Sequence, residues 1–320
     1  MVAFLVHRDS YLMAREINLD QTTDAPVIDG LVNRCIAAAS DALRTPTSVF
    51  TEFQQAHLGN IFKSMRPTHE SIRELLRQEN KSPHSVDAVP LARLQLETLY
   101  AICLVLDQPS YLDLYLKHAW KQIYIRHLLT EAECKNLPTV IAELDKQLVP
   151  LEELRKLAGV TDQEKATIRS EQLAEPPPQG MVSAPIVQFP TPGVALRFIR
   201  DPDRKRMLRR LYFEYQSLCE FVHFSTHPRS FKGIFDSREP YGRAFTAGQL
   251  ESMFQREIAG PAIWIDFLSI VQSAAELIVL YPADVELRRA AIDAWTVLEE
   301  RTIMGRAVWQ FRAKKLLGII

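Results

Sequence analysis

Apolar residues recur at steps of three and four along most of this chain, the spacing of amphipathic helices. From about Ile28 to Arg44, Leu31, Cys35, Ala38, Ala39 and Ala42 share one stripe. Thr51 to Met65 is amphipathic and is expected to stop at Arg66-Pro67, because proline disfavours helix in the residue before it. Thr68-His69-Glu70 then opens a short polar helix to about Asn80. Ser85 to Leu106 follows, with Pro90 tolerable near its first turn, and LDQPS from Leu106 to Ser110 is a stop signal. Tyr111 to Leu129, Pro138 to Leu157 and Thr161 to Leu173 read as three further helices. Glu164, three residues after Thr161, gives the last of these the form of a capping box.

The pattern changes over residues 174–202, AEPPPQGMVSAPIVQFPTPGVALRFIRDP, which hold seven prolines and no helical period. This stretch reads as an extended connection whose apolar side chains pack over a surface, with room for a short strand. Helical spacing resumes from Asp203 to about Phe224, from Gln249 to Leu280 with a break near Gly260-Pro261, and from Asp284 to Leu317. A second irregular stretch lies between Ser225 and Gly248. The expected architecture is all-α, an irregular bundle of about ten helices. Residues 1–26 form an N-terminal arm and 27–320 a single helical domain with the 174–202 crossing inside it.

Composition narrows this picture. Eleven glycines in 320 residues favour long helices over turn-rich sheets, and a formal net charge of −1 excludes a whole-molecule basic field while leaving local patches open. Cys35, Cys103, Cys134 and Cys219 are scattered singly, so no Cys-x-x-Cys zinc or redox pair exists and nothing asks for an oxidising compartment. Cys103 and Cys219 sit in apolar helical surroundings and read as small core residues. Trp120, Trp264, Trp295 and Trp309 likewise occupy apolar helical positions.

His7, Arg8 and Asp9 interrupt the N-terminal segment before any signal-length apolar run forms. Ala262 to Leu280 is the most lipid-like stretch, but Asp266, Gln272 and Glu276 would be costly in a bilayer, so it reads as a core helix of a soluble protein. The expectation is a cytoplasmic, bacterial-type protein with no membrane partner and no cofactor.

Two helical stretches carry candidate chemistry. In LARLQLETLYAICLVL, Arg93 and Glu97 are four apart on one face of an otherwise apolar helix. They form either a structural buried ion pair or part of a functional pocket, since both arrangements place paired charges in an apolar setting. In LYFEYQSLCEFVHFSTH, Glu220, His223 and His227 follow at steps of three and four. A carboxylate-bridged metal site in a bundle needs a second Glu-x-x-His, which this chain lacks, so no metal is expected. His223 reads instead as a hydrogen-bonded partner of a buried charge, or as a general acid/base where a cleft exposes it.

Arg204, Lys205, Arg206, Arg209 and Arg210 crowd the start of the helix that carries His223. Cations there oppose the helix dipole, so they are balanced by Asp201, Asp203 and Glu214 or they meet phosphate of a ligand such as RNA. Arg312, Lys314 and Lys315 close the final helix, where positive charge suits the dipole and asks for no function.

Arg93-x-x-x-Glu97 inside an apolar helix, followed by Tyr215-x-Ser217 and His223 on a later one, resembles a numbered bacterial family of unknown function. The resemblance covers about Val86 to His227. That family is all-helical and distantly similar to HEPN-type (higher eukaryote and prokaryote nucleotide-binding) domains, many of which are metal-independent ribonucleases built on an Arg-x4–6-His motif. The one formal match to that motif here is Arg77 to His84, at a polar helix end. The resemblance implies an interaction or stress/phage-defence-associated protein with Arg93, Glu97, Tyr215 and His223 in one polar cluster. It also leaves open a ribonuclease using His223 with Arg93 on RNA held by residues 204–210, or a pure scaffold. A protein partner or RNA fits these readings, and the oligomeric state stays open.

Overall fold

The stretch with the strongest apolar character becomes the most enclosed helix among the described residues. A computed structural model describes residues 25–76, 87–172, 188–222, 260–301 and 310–319. Among these residues the chain is all-α, with eleven helices and no strand. They are α1 (Ala25–Ala42), α2 (Glu52–Leu75), α3 (Ala88–Asp107), α4 (Ser110–Glu133), α5 (Pro138–Leu157) and α6 (Asp162–Gln172). After these come α7 (Pro192–Phe198), α8 (Pro202–Val222), α9 (Gly260–Leu277), α10 (Val285–Arg301) and α11 (Gln310–Leu317).

The helices group into two compact units, where the continuous pattern had pointed to one domain: residues up to Asp107 with those from Pro192 on, and the segment Gln108–Thr191. In the first unit every residue of α9 is buried. α1, α2, α3, α10 and α11 surround it, and α7 and α8 pack on α3. α3 is less enclosed than α9, with Leu94 48 % exposed. Trp264 and Trp295 are buried as their spacing predicts, and Trp309 lies outside the described residues. Among the described residues α3 is the one helix long and apolar enough to cross a membrane. It packs here against four other helices of the bundle.

Pro67 does not end a helix. α2 runs through it, opened by a capping box in which the Thr51 hydroxyl accepts from Gln54 N and the Gln54 side chain accepts from Thr51 N. Proline removes the backbone donor that would bond the carbonyl four residues back. A continuous buried stripe outweighs that loss: Leu58, Phe62, Met65, His69 and Ile72 lie on one face across the proline. The proline-rich crossing also differs from its expected extended form at its end, where residues 192–198 make the short helix α7.

The second unit is a three-helix layer in which α4 packs on both α5 and α6. Trp120 donates from Nε1 to the Leu151 carbonyl at 2.9 Å and stacks on Tyr124 with ring centroids 4.8 Å apart. α5 ends at Gly159, whose φ of 69° is the left-handed conformation that favours glycine. The predicted capping box opens α6: Thr161 Oγ1 accepts from Glu164 N, and Thr161 N donates to the Glu164 carboxylate.

Candidate functional site

α3 and α8 bring three of the four nominated residues together. Arg93 Nε donates to Glu97 Oε1 at 3.0 Å, Arg93 Nη2 donates to the Tyr215 hydroxyl at 3.1 Å, and that hydroxyl donates to Glu97 Oε1 at 3.0 Å. The guanidinium carbon also lies 5.2 Å from the centre of the Tyr215 ring, within cation–π range. Burial works against the Arg93 charge, but Tyr215 and Glu97 outweigh it and hold its pKa above the ordinary arginine value. Burial and the Glu97 carboxylate push the Tyr215 hydroxyl up despite Arg93, so it stays a donor at neutral pH.

This triangle is half-buried, not deep: the side chains of Arg93 and Glu97 are 18 % and 32 % exposed. Its donors are turned on one another, which makes it a clamp between two helices more than a poised acid and base. Tyr212 stacks on Tyr215 with centroids 5.8 Å apart, and Tyr100 flanks it at 6.4 Å. Ser217 lies on the same helix, half-buried. His223, His227 and the side chain of Glu220 lie outside the described residues, as do Arg77 and His84.

The basic group of α8 divides in two. Arg204 is not a surface cation. Its side chain is 3 % exposed and bonds Glu276 at 2.8 Å and Asp107 at 3.0 Å. Burial opposes its charge, and Glu276 more than restores it. Lys205, Arg206, Arg209 and Arg210 instead line a surface groove of about 380 Å³ with Pro202 and Phe213. Arg206, Arg209, Arg210 and Phe213 are exposed, Phe213 at 65 %.

Two of the acids expected to balance them are engaged elsewhere. Asp201 accepts both Arg312 Nη1 contacts at 2.9 Å and caps α8 by accepting from Asp203 N and Arg204 N. Burial raises the Asp201 pKa less than Arg204 N and Arg312 lower it, so it sits below the usual carboxylate range. Asp203 meets Lys315 at 3.2 Å.

Arg312, read from sequence as a dipole-complementing cation, is buried and bonds both Glu276 and Asp201. Asp107, Asp201 and Glu276 thus share two guanidinium groups, and Gln272 Nε2 adds a bond to Glu276 Oε1 at 3.0 Å.

A second buried knot surrounds Asp266. Its Oδ2 lies 2.5 Å from His69 Nδ1 and its Oδ1 accepts from Gln95 Nε2 at 2.8 Å. His69 Nε2 reaches Asp29 Oδ1 at 3.0 Å, and Arg73 Nε donates to the same oxygen at 3.0 Å. Burial works against a charged imidazole, but the bonds to Asp266 and Asp29 outweigh it and push His69 up to about 9. Burial raises Asp29, and His69 with Arg73 more than reverse this, holding it below the ordinary range.

The sequence reading nominated neither knot as a site. The available signal was Asp266 and Glu276 inside the most apolar helix, where a charge survives only with partners. Among the described residues no group of His, Cys, Asp and Glu is arranged to hold a metal ion. No family model, no curated protein and no solved structure matches this chain.

Proposed function

We propose that this chain is an interaction protein that holds a phosphate-rich polymer on the outer face of α8. One observation carries the reading: Arg206, Arg209 and Arg210 are exposed on a shared groove, and no ion pair with a described residue neutralises them. Three exposed like charges on one helix face repel one another, an arrangement that gains favourable energy when an anion arrives. Arginine suits this task because its planar fork grips phosphate oxygens in pairs. The buried knots at Asp266 and Glu276 fit a supporting role, fixing the helices from which this face projects.

The test is anisotropy of a fluorescein-labelled polyphosphate at low salt. Binding is expected, and with about three phosphates engaged the affinity falls roughly 100-fold for each tenfold rise in salt. Arg206→Ala/Arg209→Ala/Arg210→Ala should abolish it. No binding of polyphosphate or of nucleic acid at low salt would sink the reading.

A ribonuclease is the second reading. In its favour, Arg93 contacts α8 at Tyr215, eight residues before His223. Incubation of labelled RNA with wild type, His223→Ala and Arg93→Ala decides it: cleavage lost in both variants supports it, and no cleavage by wild type removes it.

A further inference from the structure

We infer that the polymer held on α8 is single-stranded nucleic acid, with Phe213 as the platform on which one base stacks. This rests on the reading of α8 as a polyanion-binding face and adds the class of partner. Arg206, Arg209, Arg210 and Phe213 fall at steps of three and four, so they share one helix face about 10 Å long. Phe213 is 65 % exposed and lines the same groove as the arginines.

An exposed phenylalanine at the end of a row of arginines matches what an unpaired strand presents, a charged backbone with bases turned aside from it. Phosphates take the guanidinium groups, and a splayed base covers the ring, a contact open to any base because each has a π-face. A duplex keeps its bases stacked internally and offers Phe213 nothing flat. An acidic peptide would satisfy the arginines but leave the ring bare. A membrane surface would ask for a wide apolar face, and this face holds one aromatic among three arginines. The chemistry is shared by RNA and DNA strands, so both enter the test.

The experiment uses the full chain and anisotropy of four labelled probes: a 12-nucleotide RNA, a DNA strand of the same sequence, its duplex, and polyphosphate of matched charge. Single strands are expected to bind at least tenfold more tightly than duplex or polyphosphate. Phe213→Ala should weaken the single strands by roughly 5- to 100-fold and leave polyphosphate unchanged, while Phe213→Trp restores strand binding. The ring is largely in solvent, so these variants are expected to keep the wild-type melting temperature, which circular dichroism checks.

Equal affinity for all four probes, with Phe213→Ala without effect, overturns the base-stacking inference and leaves the polyanion face standing. Absence of binding to every probe removes both. A preference of RNA over DNA, or the reverse, leaves the inference intact and names the sugar.

Discussion

Arg204 and Glu276 meet in the core, Nη2 to Oε2 at 2.8 Å, with their side chains 3 % and 0 % exposed. The bond ties α8 to α9, and Arg312 on α11 completes it from another side. Neither partner could lie there alone, because an unpaired buried charge is far more costly than a well-made pair is favourable.

Glu276→Ala should therefore destabilise the protein by about 3 kcal/mol, since two buried guanidinium groups each lose one of two carboxylate partners and keep only Asp107 or Asp201. Urea denaturation followed by circular dichroism measures this. A loss below about 1 kcal/mol would mean that water reaches the network and takes the place of the carboxylate.

His69 makes stability depend on alkaline pH. Its folded pKa, about 9, stands above the ordinary 6.5, so the folded state binds the proton more tightly. The contribution is complete below about pH 6.5 and is lost as pH rises through 9, on the order of 3 kcal/mol over that window. Denaturation curves from pH 6 to 10 should show the decline in wild type and a flatter profile in His69→Gln. A wild-type profile as flat as the variant's would contradict the charged imidazole.

The Arg93–Glu97–Tyr215 triangle should behave differently, because solvent reaches both charged ends. Glu97→Ala is expected to cost about 1 kcal/mol, within the range of partly screened pairs. Tyr215→Phe, which removes one hydroxyl and keeps the ring over Arg93, should cost a similar amount, about 1 kcal/mol. Thermal melts of both variants beside Glu276→Ala test the ordering. A Glu97→Ala loss equal to that of Glu276→Ala would place the triangle in the deep core.

In the second unit, Trp120→Phe removes the Nε1 bond to the Leu151 carbonyl and leaves a smaller ring on Tyr124. The expected loss is about 1–2 kcal/mol. Near-ultraviolet circular dichroism of Tyr124 should report the altered stack.

Helix positions were largely legible because stripes at three and four steps need only local sequence. Thr161 and Glu164 announced their cap in the same way. The misreading at Pro67 has a tertiary cause. Backbone chemistry argues for a stop, and burial of Met65, His69 and Ile72 together argues for continuation and wins. Arg93, Glu97 and Tyr215 were nominated from separate motifs and do meet. The settings of Arg204 and Arg312 are not legible locally because their partners are distant in sequence: Asp107 and Glu276 lie 97 and 72 residues from Arg204, and Glu276 and Asp201 lie 36 and 111 residues from Arg312. Local spacing shows which face a residue takes, and cannot show which distant carboxylate waits there.

The enclosure of α9 sets the order in which the molecule can be completed. Its walls include α1, α2 and α3, the last of which ends at Asp107, about 150 residues before Gly260. At ribosomal speeds of about 5–20 residues per second, α3 waits roughly 8 to 30 seconds for the rod it helps to surround, and α1 and α2 wait longer. Until it arrives, the faces of α1, α2 and α3 that pack on α9 lack their final cover. A nascent or truncated chain ending before Gly260 is thus the aggregation-prone species, one that chaperones would be expected to bind.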